Sequence, residues 1–323
     1  MWLATLLALA LFPAGDAASA AWGSFPAELS VGELDREATL QCPEASAGQA
    51  VCWRKGGGKA VCPRPPRGPT LRLPPLDLSS AGNYSCWAGG TLLGWTFLAV
   101  RGLGLPRLLD EAAGVTCEAE SYNSTVLRCA WLALRPAAFR LRLRRRGPGG
   151  AGAGCSSVEK VVGGRGPTWV ELDASACGPE CPSAEEVPET GLELELEGLG
   201  AGGRFQRMRR RLFWRDLVRP AAPEGLAARQ EESTGQLRLS WAPPPSWVRP
   251  SSFFPLRFHL RLEFFGNLDR EGLLLLSDLY SDRLEETAQP PRPHQLLNRV
   301  KIRCRDPIAP SPWSPWSAWA FPQ

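Results

Sequence analysis

Histidine is the side chain best suited to moving protons near neutral pH, and this chain has two, His259 and His294. His259 falls on the outward side of the alternating run Leu256-Arg257-Phe258-His259-Leu260-Arg261-Leu262, and His294 follows Pro290-Pro291-Arg292-Pro293. A solvated imidazole is expected at both. No cysteine–histidine spacing suits zinc, and no glycine-rich loop follows a strand signal to cradle a phosphate. The chain is therefore not expected to be an enzyme, and no catalytic residue, metal or cofactor is assigned. The chemistry its residues can do is binding. In Trp313-Ser314-Pro315-Trp316-Ser317 two indoles three residues apart can face the same way, and each indole face attracts a guanidinium lying over it. The preceding run Val300-Lys301-Ile302-Arg303-Cys304-Arg305 sends Val300, Ile302 and Cys304 inward and Lys301, Arg303 and Arg305 outward. Arg303 and Arg305, with Arg257 and Arg261 from the earlier strand, are expected to slot between Trp313 and Trp316.

Ten cysteines indicate an oxidising compartment. Cys52 and Cys62 flank a glycine-rich turn, which predicts a local bridge, and Cys155 and Cys177 approach one another across a hairpin-like segment. Cys304, inward on its strand, is expected to be a small buried hydrophobe. Cys181 follows Cys177 by four residues, in a loop with Pro182 and Glu185-Glu186 that should be exposed, and is left to join something else. Asn83-Tyr84-Ser85 and Asn123-Ser124-Thr125 are glycosylation sequons. Asn123, at an expected hairpin tip, is the better candidate.

These residues must be held by strands. A length of 323 residues allows three domains of about 100 residues each. Residues 1–20 read as a signal peptide, with the apolar run Trp2 to Phe12 and the small-residue site Ala18-Ser19-Ala20, so a secreted protein is expected. No other run is long and apolar enough for a membrane span. A formal charge of +4 is too small for a nucleic-acid binder of this size. Clusters at Arg140, Arg142, Arg144, Arg145 and Arg146, and at Arg207, Arg209, Arg210 and Arg211, predict at most weak affinity for heparan sulfate. Residues 21–102 resemble an immunoglobulin domain: Cys42, Trp53 and Ala81-Gly82-Asn83-Tyr84-Ser85-Cys86 recur in order. That likeness implies a Cys42–Cys86 bridge between sheets, with Trp53 packed on it and Tyr84 as a tyrosine corner. Residues 103–219 open with Cys117, Cys129 and Trp131, an expected bridge and core tryptophan resembling a fibronectin type III module. Residues 220–323 form a second such module, from Leu237-Arg238-Leu239-Ser240-Trp241 to the tryptophan repeat. The fold class is therefore all-β: one immunoglobulin-like sandwich and two fibronectin type III sandwiches.

The tryptophan repeat is similar to the Trp-Ser-x-Trp-Ser signature of type I cytokine receptors. Further stretches, Val115-Thr116-Cys117-Glu118-Ala119, Cys181-Pro182-Ser183-Ala184-Glu185-Glu186 and Phe213-Trp214-Arg215-Asp216, resemble the branch of that family secreted as beta subunits of heterodimeric cytokines. The resemblance implies a four-helix-bundle alpha subunit, of the interleukin-12 or interleukin-23 type, gripped by the second and third modules. The first would engage a cytokine receptor chain. It also implies that Cys181 bridges to the partner and that Tyr122, Glu185, Phe253 and Asp306 form the docking surface, where Glu185 and Asp306 accept a basic side chain. Carbon-linked mannose on Trp313 and Trp316 is implied as well. Rival readings are a soluble alpha receptor, which would not need an unpaired Cys181, and a glycosaminoglycan-binding adhesion protein relying on the basic strands.

Overall fold

Strict alternation of apolar and polar residues makes half-buried strands, and the computed structural model has nineteen among its described residues, 24–62, 68–145, 154–176, 191–265, 275–292, 295–308 and 311–323. The first six are β1 Leu29–Glu33, β2 Ala38–Gln41, β3 Cys52–Lys55, β4 Thr70–Leu73, β5 Gly82–Ala88 and β6 Thr91–Arg101. Next come β7 Val115–Glu118, β8 Val126–Ala133, β9 Ala137–Arg145, β10 Gly154–Val162, β11 Gly166–Asp173, β12 Leu192–Gly200 and β13 Arg204–Leu212, followed by the short helix α1 Trp214–Leu217. The last are β14 Glu224–Gln230, β15 Leu237–Ala242, β16 Arg257–Phe264, β17 Leu275–Ser281, β18 Glu285–Ala288 and β19 Leu297–Arg305. The fold is all-β, immunoglobulin-like at its start and fibronectin-like thereafter.

In the first unit β2-β4 faces β3-β5-β6 across a core of Leu40, Trp53, Leu76 and Leu98. Cys42 and Cys86 are bonded through that core beside Trp53, and the Tyr84 hydroxyl donates to the Ser80 carbonyl at 2.8 Å. In the second unit the sheet β11-β8-β7 packs on β10-β9-β12-β13, with the Trp131 ring 5.6 Å from Phe139. In the third, β14-β15-β18 packs on β17-β16-β19, and Trp241 lies 5.5 Å from Phe258.

The units are closely joined. β6 and β13 pair in parallel at Val100 and Arg204, so one eight-stranded sheet runs through the first two. At that seam Gly203 has φ +73°, and a Cβ there would stand 2.2 Å from the Cβ of Ala81, so backbone conformation and close approach both require glycine. The Gln206 side chain accepts from the amides of Leu108 and Leu109 at 2.8 and 2.9 Å, fixing the strand entry after the linker. Between the second and third units the buried apolar residues form a single continuous cluster.

Candidate functional site

Where the second unit meets the third, the turn after β7 carries Tyr122, which is 3% exposed. Its ring lies 4.7 Å from Phe254 and 5.8 Å from Trp247, an aromatic contact made across the elbow. Burying such a ring contributes about 1.5–3 kcal/mol. The hydroxyl is buried too and needs a partner. It donates to Asp306 Oδ2 at 2.8 Å, and Arg215 Nε from α1 donates to the same oxygen at 2.8 Å. Oδ1 accepts the Ile308 amide at 2.8 Å, and the Asp306 amide donates to Ser311 Oγ at 3.1 Å. The Arg215 guanidinium also spreads over the Tyr122 ring at 5.7 Å.

This arrangement corrects one expectation about the docking surface. Asp306 is 0% exposed and is held by the chain's own Arg215, so in the isolated chain it is not open to a partner's cation. Tyr122 is likewise beneath the surface. The exposed rim is apolar: Phe253 is 61% and Ile308 59% exposed, flanking the arginine whose Nη2 reaches the Phe253 carbonyl. Cys181 and Glu185 lie outside the described residues. In the sequence Arg215 stands out only through its stretch's likeness to a family; the signal that could have found it is an arginine in one turn with Trp214 and Leu217, which pull the short helix into the core.

The second arrangement is the tryptophan–arginine ladder. Ser314 and Ser317 fasten their segment to β19: their amides donate to the carbonyls of Cys304 and Ile302, both at 2.8 Å, and their hydroxyls accept the amides of the same residues at 3.0 and 3.1 Å. The indoles therefore recur in step with the outward row of β19. Arg303 lies 4.8 Å from Trp313 and 4.4 Å from Trp316, Arg305 4.7 Å from Trp313, and Arg261 5.2 Å from Trp316. Trp319 extends the ladder over Arg299 and Lys301, at 4.1 and 4.4 Å.

Two expectations fail here. Arg257 is held instead by Asp282 at 2.9 Å, because the strand beside it, β17, leads straight into that carboxylate. His259 is not solvated but 2% exposed, stacked 4.4 Å from Tyr280, tilted against Trp316 at 4.9 Å and edged by Trp313 at 5.6 Å. Its Nδ1 accepts from Arg303 Nε at 3.0 Å, and Nε2 lies 3.0 Å from Asp278 Oδ1 but poorly aligned with it. Burial pushes its pKa down, outweighing the raising effect of Asp278, so the ring is neutral. Alternation rightly put His259 on this face but could not show that tryptophans cover it. His294 lies outside the described residues.

A third set of charges belongs to the second unit. Glu195 and Glu197, 1% and 0% exposed, stand on β12 between the arginines of β9 and β13. Glu197 accepts from Arg140 at 2.8 Å, from Arg207 at 2.7 Å and from Arg142; Glu195 accepts from Arg209 at 2.6 Å. Burial raises the Glu197 pKa, yet the three guanidiniums more than offset this and hold it below the usual carboxylate range. Arg140, Arg142, Arg207 and Arg209 are thus paired within the sheet, and Arg210 reaches the Val115 carbonyl at 2.8 Å. Arg146 lies outside the described residues.

Three bridges are closed between described cysteines: Cys42–Cys86, Cys52–Cys62 and Cys117–Cys129. Cys155 is also disulfide-bonded, while Cys177 lies outside the described residues. Cys304 is a buried thiol whose pKa burial pushes up to about 12. Asn123 is exposed in the turn between β7 and β8, and Asn83 is exposed on β5. Among the described residues no helix is long and apolar enough to cross a membrane, and no group of three potential metal ligands occurs.

The chain thus joins an immunoglobulin-like sandwich and fibronectin-like sandwiches to a tryptophan–arginine ladder. No family model matches the chain. It is similar to interleukin-12 subunit beta of Mesocricetus auratus, 25% identical over 265 residues covering 76% of each chain. The proteins of the same name from Sus scrofa and Ovis aries are 24% and 26% identical to it over 261 and 264 residues, again 76% of each. The chain is an interleukin-12 beta-like protein.

Proposed function

We infer that this chain is the secreted beta subunit of a heterodimeric cytokine. It binds rather than catalyses: its second and third units hold a four-helix-bundle alpha subunit, and its first presents the pair to a receptor chain. A cytokine-subunit role is supported by the likeness to interleukin-12 subunit beta. The observation that carries the finer reading is the elbow, where Phe253 and Ile308 stand exposed over a buried core that Arg215, Asp306 and Tyr122 bond together. Exposed aromatic and aliphatic groups on a well-packed, hydrogen-bonded base are the anchors that dominate interface energy. The rim therefore suits an apolar ridge of the helical partner, with Cys181 closing a disulfide once the complex has formed.

Co-secretion with interleukin-12-type and interleukin-23-type alpha subunits, followed by intact-mass analysis with and without reductant, tests this. The expected product is a covalent heterodimer that Cys181→Ser converts to a weaker non-covalent one. Secretion of the chain with no helical subunit attached in either state would sink the reading.

A further inference from the structure

The outer face of the sheet β11-β8-β7 carries side chains that neither the elbow nor the ladder uses. Val126, Arg128 and Ala130 of β8 share it with Trp169 and Glu171 of β11. Trp169 is 66% exposed, and its cross-strand neighbour is Ala130, so the indole stands clear. An exposed indole is a flat apolar platform with a polar edge. Beside it a cleft of about 560 Å³ opens between these strands and the segment 219–222.

The walls of the cleft carry Glu118, Glu120 and Glu171, two guanidiniums and the ring of Pro315. Arg128 pairs with Glu120 at 3.3 Å and Glu171 at 3.1 Å, and Arg219 with Glu118 at 2.9 Å. Three carboxylates against two guanidiniums leave one negative charge in excess. A paired carboxylate still has lone pairs for hydroxyl donors, while the excess charge disfavours sulfated or sialylated groups. Paired polar groups, a proline ring and a bare indole suit uncharged pyranoses.

A source of such sugars is tethered at the rim. Ser124, the middle residue of the sequon Asn123-Ser124-Thr125, itself lines the cleft, and Asn123 is exposed beside it. We propose that the N-linked glycan of Asn123 folds back onto this face, with its first, uncharged sugars in the cleft and later ones across Trp169. The inference rests on the secretory route in the proposed function, since only that route attaches the sugar. It makes the glycan a structural part of the second unit.

The test uses the full chain secreted from mammalian cells, as wild type and as the variants Trp169→Ala and Glu171→Gln. Site-resolved glycopeptide mass spectrometry reports occupancy and processing, and release by peptide N-glycosidase is timed on native protein relative to denatured protein. The Asn123 glycan should be less processed in wild type and released about tenfold more slowly than in Trp169→Ala, with Glu171→Gln between them. Equal release and equal processing in all three proteins would overturn the proposal, and so would a bare Asn123. Failure to pair with any helical subunit, with a slow-released glycan still present, would count against the proposed function alone.

Discussion

The arginine row of β9, Arg140-Arg142-Arg144, and that of β19, Arg303-Arg305, share one alternation but are compensated differently. On β9 the neighbouring strand supplies Glu195 and Glu197, buried beneath the guanidiniums; on β19 a separate segment lays Trp313 and Trp316 over them. The first solution places two charges at 0–1% exposure and depends on every partner. The second leaves the cations partly solvated and depends on stacking. Removing one member of a buried ion network costs far more than removing one rung of an aromatic stack.

Glu197→Ala should therefore have the largest effect. It strips the shared acceptor from Arg140, Arg142 and Arg207 and should destabilise the second unit by about 3–5 kcal/mol, seen in chemical denaturation or as lost secretion. Arg303→Ala comes next. It empties the space between Trp313 and Trp316 and breaks the bond to His259, which should cost about 1–2 kcal/mol. If the two variants unfold at the same denaturant concentration, the contrast between the networks is wrong.

The ladder was legible because both halves of it are local patterns: outward arginines on an alternating strand, and tryptophans three apart. The carboxylate network was equally present as Leu192-Glu193-Leu194-Glu195-Leu196-Glu197, a strict alternation. What the sequence alone lacked was the pairing of β12 with β9 and β13, a non-local register that turns three arginine-rich or acidic strands into one network. For the same reason the elbow was half legible. Only the resemblance points to Tyr122, Phe253 and Asp306, and Arg215 is brought to Asp306 over 91 residues by packing that no spacing reveals. The Asn123 turn and the tryptophan cores could be placed, since hairpins and alternation are local.

A smaller effect sharpens the account of the ladder. His259 is neutral and buried, with its pKa lowered chiefly by burial, so the unfolded chain binds a proton more readily than the folded one. Stability of the third unit should be fully present above the ordinary histidine value of about 6.5 and fall as pH drops below it. The charged groups that face the ring are Arg257 and Arg261 on its own strand, Asp278 from β17 with Asp282 just after it, and Lys301, Arg303 and Arg305 from β19. Protonation would set Nδ1–H against the Arg303 guanidinium. Tryptophan fluorescence during unfolding between pH 7.5 and 5 should show the decline, and His259→Phe should flatten it; an unchanged slope would remove the histidine from the ladder. The least effect belongs to Arg257→Ala, whose exposed pair with Asp282 should leave the unfolding midpoint where it was.

The pairing of this chain with a helical cytokine subunit through the elbow is tested most directly by binding kinetics on three proteins: wild type, Phe253→Ala with Ile308→Ser, and Arg303→Ala. The exposed rim predicts that the double variant, with its buried Arg215–Asp306 core intact, dissociates from the alpha subunit at least about tenfold faster, while Arg303→Ala binds like wild type. Equal dissociation rates for all three would contradict the elbow as the docking surface.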